Sequence, residues 1–304
     1  MEHHSPTCGI CDRATSRIQK LNNGFLGSLC EACDLLSTNM EIAMQPSPPS
    51  GNQYGLEHRI LTYYLRQKEF RSRYESLLKL IGRLIPGKIG SILDVGGNIG
   101  YFANFVRQKN IFVETLEVLE DLRAFQRLAY GIHSYGAPEE IPVERHYDAI
   151  IMMDVLEHIR RPVDFLKQLK PHLAVGGVVF VQSPNKNSLM ARISGDRWNW
   201  WQAPDHLHHF SEKSLKLVAT RARFDVVLSR AVSPLLDDLV NLPFAGKLFA
   251  PLRVLGRWID VNPTVPFRHG SLLQVLLLPD DRIAENCGVK TCIPFQNNCD
   301  GAIE

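Results

Sequence analysis

One ten-residue segment restricts the fold of this chain more than any other: Ser91-Ile-Leu-Asp-Val-Gly-Gly-Asn-Ile-Gly100. It is a short apolar run ending in a turn with Gly96, Gly97 and Gly100, followed by helix-patterned residues from Tyr101 to Gln108. Glycine has no Cβ, so such a turn lets backbone amides approach a ligand closely. The same pattern is also what an ordinary tight turn requires. The residues downstream decide the class, because apolar runs keep alternating with helical periods. Ile111–Leu116 reads as a strand, Asp121–Tyr130 as a helix, Tyr147–Met153 as a buried strand, Pro162–Leu173 as a helix and Val178–Gln182 as a strand. Helix Glu212–Ala222, strand Asp225–Leu228 and the apolar run Leu272–Leu278 complete the series. Strands alternating with helices predict an α/β fold, a Rossmann-like doubly wound, mostly parallel sheet covered on both faces.

Ligands of doubly wound sheets bind beyond the carboxyl ends of the strands, at the switch point beside the first glycine turn. About 20 residues downstream of such a turn, an acidic residue at the next strand end can accept both hydroxyl hydrogens of a ribose. Glu117 occupies that place; Glu114 lies within the strand register and Glu120 already begins the helix. The turn and Glu117 together therefore read as a nucleoside site.

A second signal lies near the N-terminus, where Cys8-Gly-Ile-Cys11 and Cys30-Glu-Ala-Cys33 are separated by 18 residues. Two C-x-x-C knuckles at this spacing, joined by a hairpin, suit four thiolates around a structural zinc, a zinc-ribbon-like module. With seven cysteines in all, an odd number, and a polar start without a signal-peptide core, the pattern points to a reducing, cytoplasmic setting rather than to disulfides. Residues 1–44 are therefore read as the module. Residues 45–90 are a Pro/Ser/Gly linker plus one or two amphipathic helices, whose Arg and Lys residues suit a solvated face. Residues 91–279 form the main domain, with inserts at about 186–211 and 234–260, and 280–304 form a polar tail. The charged residues and prolines of the second insert exclude a membrane span; core or dimer packing, an amphipathic lid, or a surface helix touching lipid or a partner fits it. The 34 Lys and Arg against 32 Asp and Glu leave a formal charge of +2, which offers no polyanion footprint and argues against a nucleic-acid partner.

At Asp94-Val-Gly96-Gly97-Asn98-Ile-Gly100, Glu117, Gly136-Ala-Pro-Glu-Glu-Ile-Pro142 and Asp154-Val-Leu-Glu157-His158 the chain resembles the class I S-adenosylmethionine-dependent methyltransferases. The resemblance covers residues 91 to 228 in order and spacing. It implies that Asp94, Gly96, Gly97 and Gly100 line the amino-acid end of S-adenosylmethionine (SAM), that Glu117 holds the ribose and that Ala137 lies near the adenine. Asp154 would face the methionine or the reacting groups. Two positions depart from the family pattern: Asn98 replaces a glycine, and Ala137 replaces an acidic residue. The implied reaction is methyl transfer to a small-molecule acceptor, a sugar or natural-product intermediate, with a nucleic-acid enzyme or a non-catalytic scaffold as alternatives.

Aligning donor and acceptor, and removing a proton where the acceptor is weakly acidic, is what such a reaction asks of the protein. His158 and His206 are candidate bases, imidazole having a reference pKa of about 6.5. Resemblance to small-RNA and ubiquinone-pathway O-methyltransferases implies another role, a Mg2+-type cation held by Glu157, His158 and His206; simple packing is the competing reading. The Trp198-Asn-Trp200-Trp201 run suits either the wall of an acceptor pocket or lid packing.

Overall fold

The computed structural model describes residues 7–15, 17–21, 24–39, 55–234, 264–266 and 269–280. The linker at 45–52, residues 235–260 of the second insert and the tail cysteines Cys287, Cys292 and Cys299 lie outside them.

The expected alternation becomes an eight-stranded sheet. Strands β4 (Ser91–Val95), β5 (Phe112–Leu116), β6 (Ser134–Tyr135), β7 (Tyr147–Met153) and β8 (Leu173–Pro184) run parallel, in the spatial order β6-β5-β4-β7-β8. Beyond β8, strand β12 (Leu272–Pro279) pairs antiparallel, then β10 (Phe224–Pro234) and β11 (Thr264–Pro266) complete the order β12-β10-β11. The chain leaves β4 toward one edge and returns at β7 on the other side, so the switch point falls between β4 and β7, beside the glycine turn.

Strands buried on both faces read as nearly continuous apolar runs, and successive side chains divide between two cores. Leu93, Val95, Ile150, Met152, Val179 and Val181 face helices α5 (Pro162–Leu169) and α7 (Glu212–Arg221). Ile92, Ala149, Ile151, Val178 and Phe180 face α2 (Gln67–Ile81) and α3 (Tyr101–Arg107). The region expected to hold one or two helices holds two, α1 (Leu56–Leu65) and α2, which break at Arg66. Helix α4 (Glu120–Tyr130) packs near β6, and a capping box at Ser211 and Ser214 starts α7.

The cysteine module is a three-stranded antiparallel meander, β1 (Arg17–Lys20), β2 (Leu26–Cys30) and β3 (Leu35–Thr38). It is not an appendage on a tether. Its β3 pairs antiparallel with β9 (His208–His209), a strand from the expected insert at 186–211, which also carries helix α6 (Leu189–Ser194). Cys8, Ile10, Cys30, Cys33 and Leu35 belong to the same apolar cluster as Phe210, Leu215 and Val218. Lys186 reaches Asp34 at 2.5 Å, the Ser211 hydroxyl donates to the Asp34 carbonyl, and Arg221 donates to the Ile10 carbonyl. Among the described residues, no helix is long and apolar enough to cross a membrane.

Candidate active site

The glycine turn is shaped by its neighbours. Gly96 has φ +72°, and a Cβ there would lie 2.4 Å from Val155 Cγ2. A Cβ on Gly97 would meet Thr115 Cβ at 2.9 Å. Both glycines are thus demanded by close packing against the ends of neighbouring strands. The Asn98 departure has a simple physical basis, since its backbone is left-handed at φ +52°, a region asparagine enters more readily than other non-glycine residues. Its amide N–H donates to Glu117 Oε2 at 2.8 Å, and Leu119 N–H donates to Oε1 at 3.0 Å. Each carboxylate oxygen has a further lone pair, so Glu117 fixes the turn and can still accept from a ribose. Gln126 from α4 ties Asn98 O from the other side at 2.6 Å.

Asp94 and Glu117 are almost completely buried, 3% and 7% exposed. Burial pushes the Asp94 carboxyl well above the usual range, with Glu117 adding to the rise, while burial also raises Glu117 against the pull of the Leu119 and Asn98 amides. A buried, acidic pair of this kind is complementary to a ligand bearing a positive charge. Asp154 sits just past β7 in a left-handed conformation, φ +58°. Burial raises its pKa to about 6, opposed by Gln182 and then Arg73. Ala137 is half-buried and precedes a 3-10 turn, Pro138–Glu140, just beyond β6. Asp94, Glu117 and Asp154 therefore follow or end adjacent parallel strands at one sheet edge, with Ala137 beyond the next. Glu114 stays in its strand, taken up by the Tyr135 and Tyr147 hydroxyls and by Arg145, and Glu120 pairs with Arg123 at the start of α4.

The histidines separate into two pairs with different work. Glu157, His158 and His206 offer ligand atoms all within 4.8 Å of one another. The imidazole rings of His158 and His206 stand 4.7 Å apart. His158 Nδ1 donates to Asp205 O at 2.9 Å and His206 Nδ1 to Trp200 O at 2.8 Å. A carbonyl only accepts, so each Nδ1 carries hydrogen and each Nε2 keeps its lone pair. Burial, reinforced by His158, lowers His206 to about 3, and burial lowers His158 against the Asp205 carbonyl. Glu157 takes the Ser183 hydroxyl on Oε2 at 3.0 Å, and its buried Oε1 has no hydrogen-bond partner among the described residues. Two imidazole lone pairs and one unsatisfied carboxylate oxygen make a donor set for a divalent cation. Its nitrogen content suits a first-row transition metal better than Mg2+, which favours oxygen ligands.

His208 and His209 hold the seam with the cysteine module. His208 Nε2 donates to the Arg160 carbonyl at 3.2 Å, which leaves Nδ1 to accept from the Ser37 hydroxyl at 3.1 Å. His209 Nε2 lies 3.1 Å from Thr38 Oγ1. Trp198 and Trp201, 3% and 2% exposed, pack with Leu21, Leu36 and Ala191, and Trp201 stacks edge-on against His209. Of the two readings of the tryptophan run, the structure gives packing beneath the module.

The four cysteine Sγ atoms lie within 4.8 Å of one another and all four are free. Cys11 and Cys30 Sγ are 3.6 Å apart, far beyond a disulfide bond of about 2.05 Å and close to the roughly 3.8 Å edge of a zinc–thiolate tetrahedron. Burial raises Cys8 to about 11; at Cys11 burial is outweighed by the Arg13 amide and the other three thiols, leaving it at about 7.

Several groups at the site carry no local sequence signal. A cavity of about 640 Å³ opens between α2 and the sheet, with Asp154 at one end and Tyr63, Arg73, Gln182, Gln274 and Arg230 among its walls. Tyr63, from α1, lines the same cavity, and burial, with Asp94 and Asp154 adding to it, raises its pKa to about 12. Arg73, read from sequence as part of a solvated face, is only 26% exposed and pairs with Glu69 at 2.6 Å.

Among curated proteins, the ubiquinone biosynthesis O-methyltransferase of Rickettsia bellii is 22% identical over 174 residues, 53% of this chain and 67% of that protein. Among solved structures, a SAM-dependent methyltransferase of Thermotoga maritima superimposes with a TM-score of 0.50 at 16% identity, over 73% of this chain and 95% of that one. The chain spans 58% of Streptomyces venezuelae DesVI, at 21% identity over 43% of its own length and a TM-score of 0.38. The methyltransferase-domain family model matches residues 65–229, more than half of the sequence. That span runs from the end of α1 into β10 and includes the glycine turn, so the chain is a member of the methyltransferase-domain family, built on the class I methyltransferase fold.

Proposed function

We propose that the protein transfers the methyl group of SAM to a hydroxyl of a small-molecule acceptor, releasing S-adenosylhomocysteine. The observation that carries this reading is the edge formed by Asp94, Glu117 and Asp154, opening at Asp154 into a cavity sized for a small molecule. Gly96, Gly97 and Gly100 let the amino-acid end of the donor lie against the turn, Glu117 accepts the ribose hydroxyls, and Ala137 lies beside the adenine. The positive ammonium and sulfonium end of the donor favours the ionised form of Asp94 and Asp154, against the burial that raises both carboxyls. Calorimetric titration of the full chain with SAM and with S-adenosylhomocysteine should give saturable heat with both. No heat and no thermal shift with either would reject the proposal.

The acceptor hydroxyl is placed by Glu157, His158 and His206. These three would hold a divalent cation, which when bound supplies positive charge to lower the pKa of a hydroxyl. The Nδ1–H bonds to the Asp205 and Trp200 carbonyls orient both rings for that purpose; where no cation is bound, the Nε2 lone pair of His158 or His206 is instead open to take the acceptor proton. Mn2+ is the suitable probe because thiolate clusters retain it weakly. Spin-resonance titration should find a Mn2+ site in the wild type that is lost in His206→Ala, with the cysteine-bound metal unchanged. Free Mn2+ throughout the wild-type titration would exclude the cation.

Zinc held by Cys8, Cys11, Cys30 and Cys33 has a structural part: four thiolates leave no open coordination position.

A further inference from the structure

A sheet face covered by a helix is expected to be apolar, and around the cavity Phe180, Leu272 and Val232 conform. A row of polar side chains crosses them. Gln182 on β8, Gln274 on β12 and Arg230 on β10 are direct register partners. They form one chain of hydrogen bonds. Arg230 Nε donates to Gln274 Oε1 at 2.9 Å, and Gln274 Nε2 donates to Gln182 Oε1 at 2.9 Å. Gln182 Nε2 in turn points at both Asp154 oxygens, at 3.3 and 3.4 Å.

The ladder is charged at both ends, and only the Asp154 end belongs to the donor site. At the other end, the Arg230 guanidinium is half-buried and its hydrogen bond goes to a neutral amide, with no ion pair among the described residues. Its neighbours in the cavity wall do not neutralise it. Arg83 and Lys79 add positive charge, and the wall's other acid besides Asp154, Glu69, is engaged by Arg66 and Arg73. A partly desolvated guanidinium with free donors and like-charged neighbours costs stability unless an anion completes it.

We propose that the methyl acceptor is anionic and seats a phosphate or carboxylate group on Arg230, with Arg83 beside it. This rests on the proposed methyl transfer at Asp154. Strands lie about 4.8 Å apart, so three steps from β7 to β10 put the anion roughly 14 Å from the methylated atom. The acceptor is then an elongated molecule, neutral where it reacts and charged at its far end, and the glutamine rungs between supply amide contacts along its length.

The test uses the full chain saturated with S-adenosylhomocysteine, titrated with inorganic pyrophosphate and, in a parallel arm, with citrate. At least one should bind, and the tighter of the two identifies the anion class. Arg230→Gln should weaken that binding at least tenfold and leave S-adenosylhomocysteine affinity unchanged, while Arg230→Lys should recover part of it. Matching melting temperatures with and without the substitution guard against misfolding. Binding of neither anion by the nucleoside-loaded wild type, or equal binding by wild type and Arg230→Gln, overturns the inference. Failure to bind S-adenosylhomocysteine at all is a different result, and it removes the donor site instead.

Discussion

Glu117→Ala should weaken SAM and S-adenosylhomocysteine binding by two to four orders of magnitude. Hydrogen bonds to a charged acceptor are worth about 1.5–3 kcal/mol each, so the two proposed ribose bonds account for roughly 3–6 kcal/mol. The carboxylate also holds the Asn98 and Leu119 amides, so its removal loosens the turn as well as the ligand. Glu117→Gln keeps one of the two acceptor oxygens, so it should hold one of the two amides and lose the other, falling between Glu117→Ala and the wild type in both thermal stability and affinity. Calorimetry of both variants is the measurement, and a loss below tenfold in Glu117→Ala would mean that the nucleoside does not lie on this carboxylate.

The second large effect concerns the thiolates. Substituting Cys30 and Cys33 together by serine should abolish the proposed zinc binding, with metal content falling from one per chain to none by elemental analysis. Structural zinc contributes on the order of 10–16 kcal/mol in small zinc-dependent folds. The module has little else, since its strands are only four or five residues long and its apolar residues mostly face the methyltransferase domain. Its amides should therefore exchange freely with solvent, those of β3 and β9 included. Protection of β3 unchanged by the substitutions would show that packing against Phe210 and Leu215 suffices without metal.

The parts of this molecule readable in the sequence are those in which a local pattern and a long-range contact agree. Strand Tyr147–Met153 is apolar over its length because both faces are covered, and its observed limits are those expected. The glycine turn, Glu117 and the cysteine pairs are compact motifs whose chemistry needs residues at fixed spacing. By contrast, Gln182, Gln274 and Arg230 meet only through the register of β8, β12 and β10, across up to 92 residues of sequence. Each alone looks like a polar residue at a strand position. Arg73 likewise has the sequence context of a solvated helix face, and only the sheet opposite turns that face inward. The histidine run near 206–209 illustrates both situations. His206 lies in one cluster with Glu157 and His158, whereas His208 and His209 are committed to a module some 170 residues earlier.

That commitment gives β3 a reach beyond its four residues. Thr38 donates its hydroxyl to the His206 carbonyl and its amide to the Leu207 carbonyl, while Leu207 N–H donates to Glu157 O. The strand that follows the second cysteine pair and the segment carrying the His158 and His206 imidazoles are thus bolted to one another through three hydrogen bonds. A domain joined this way cannot be shuffled as an independent cassette: any replacement would have to bring its own edge for His208 and His209 to dock on, or forfeit the alignment of the neighbouring ring.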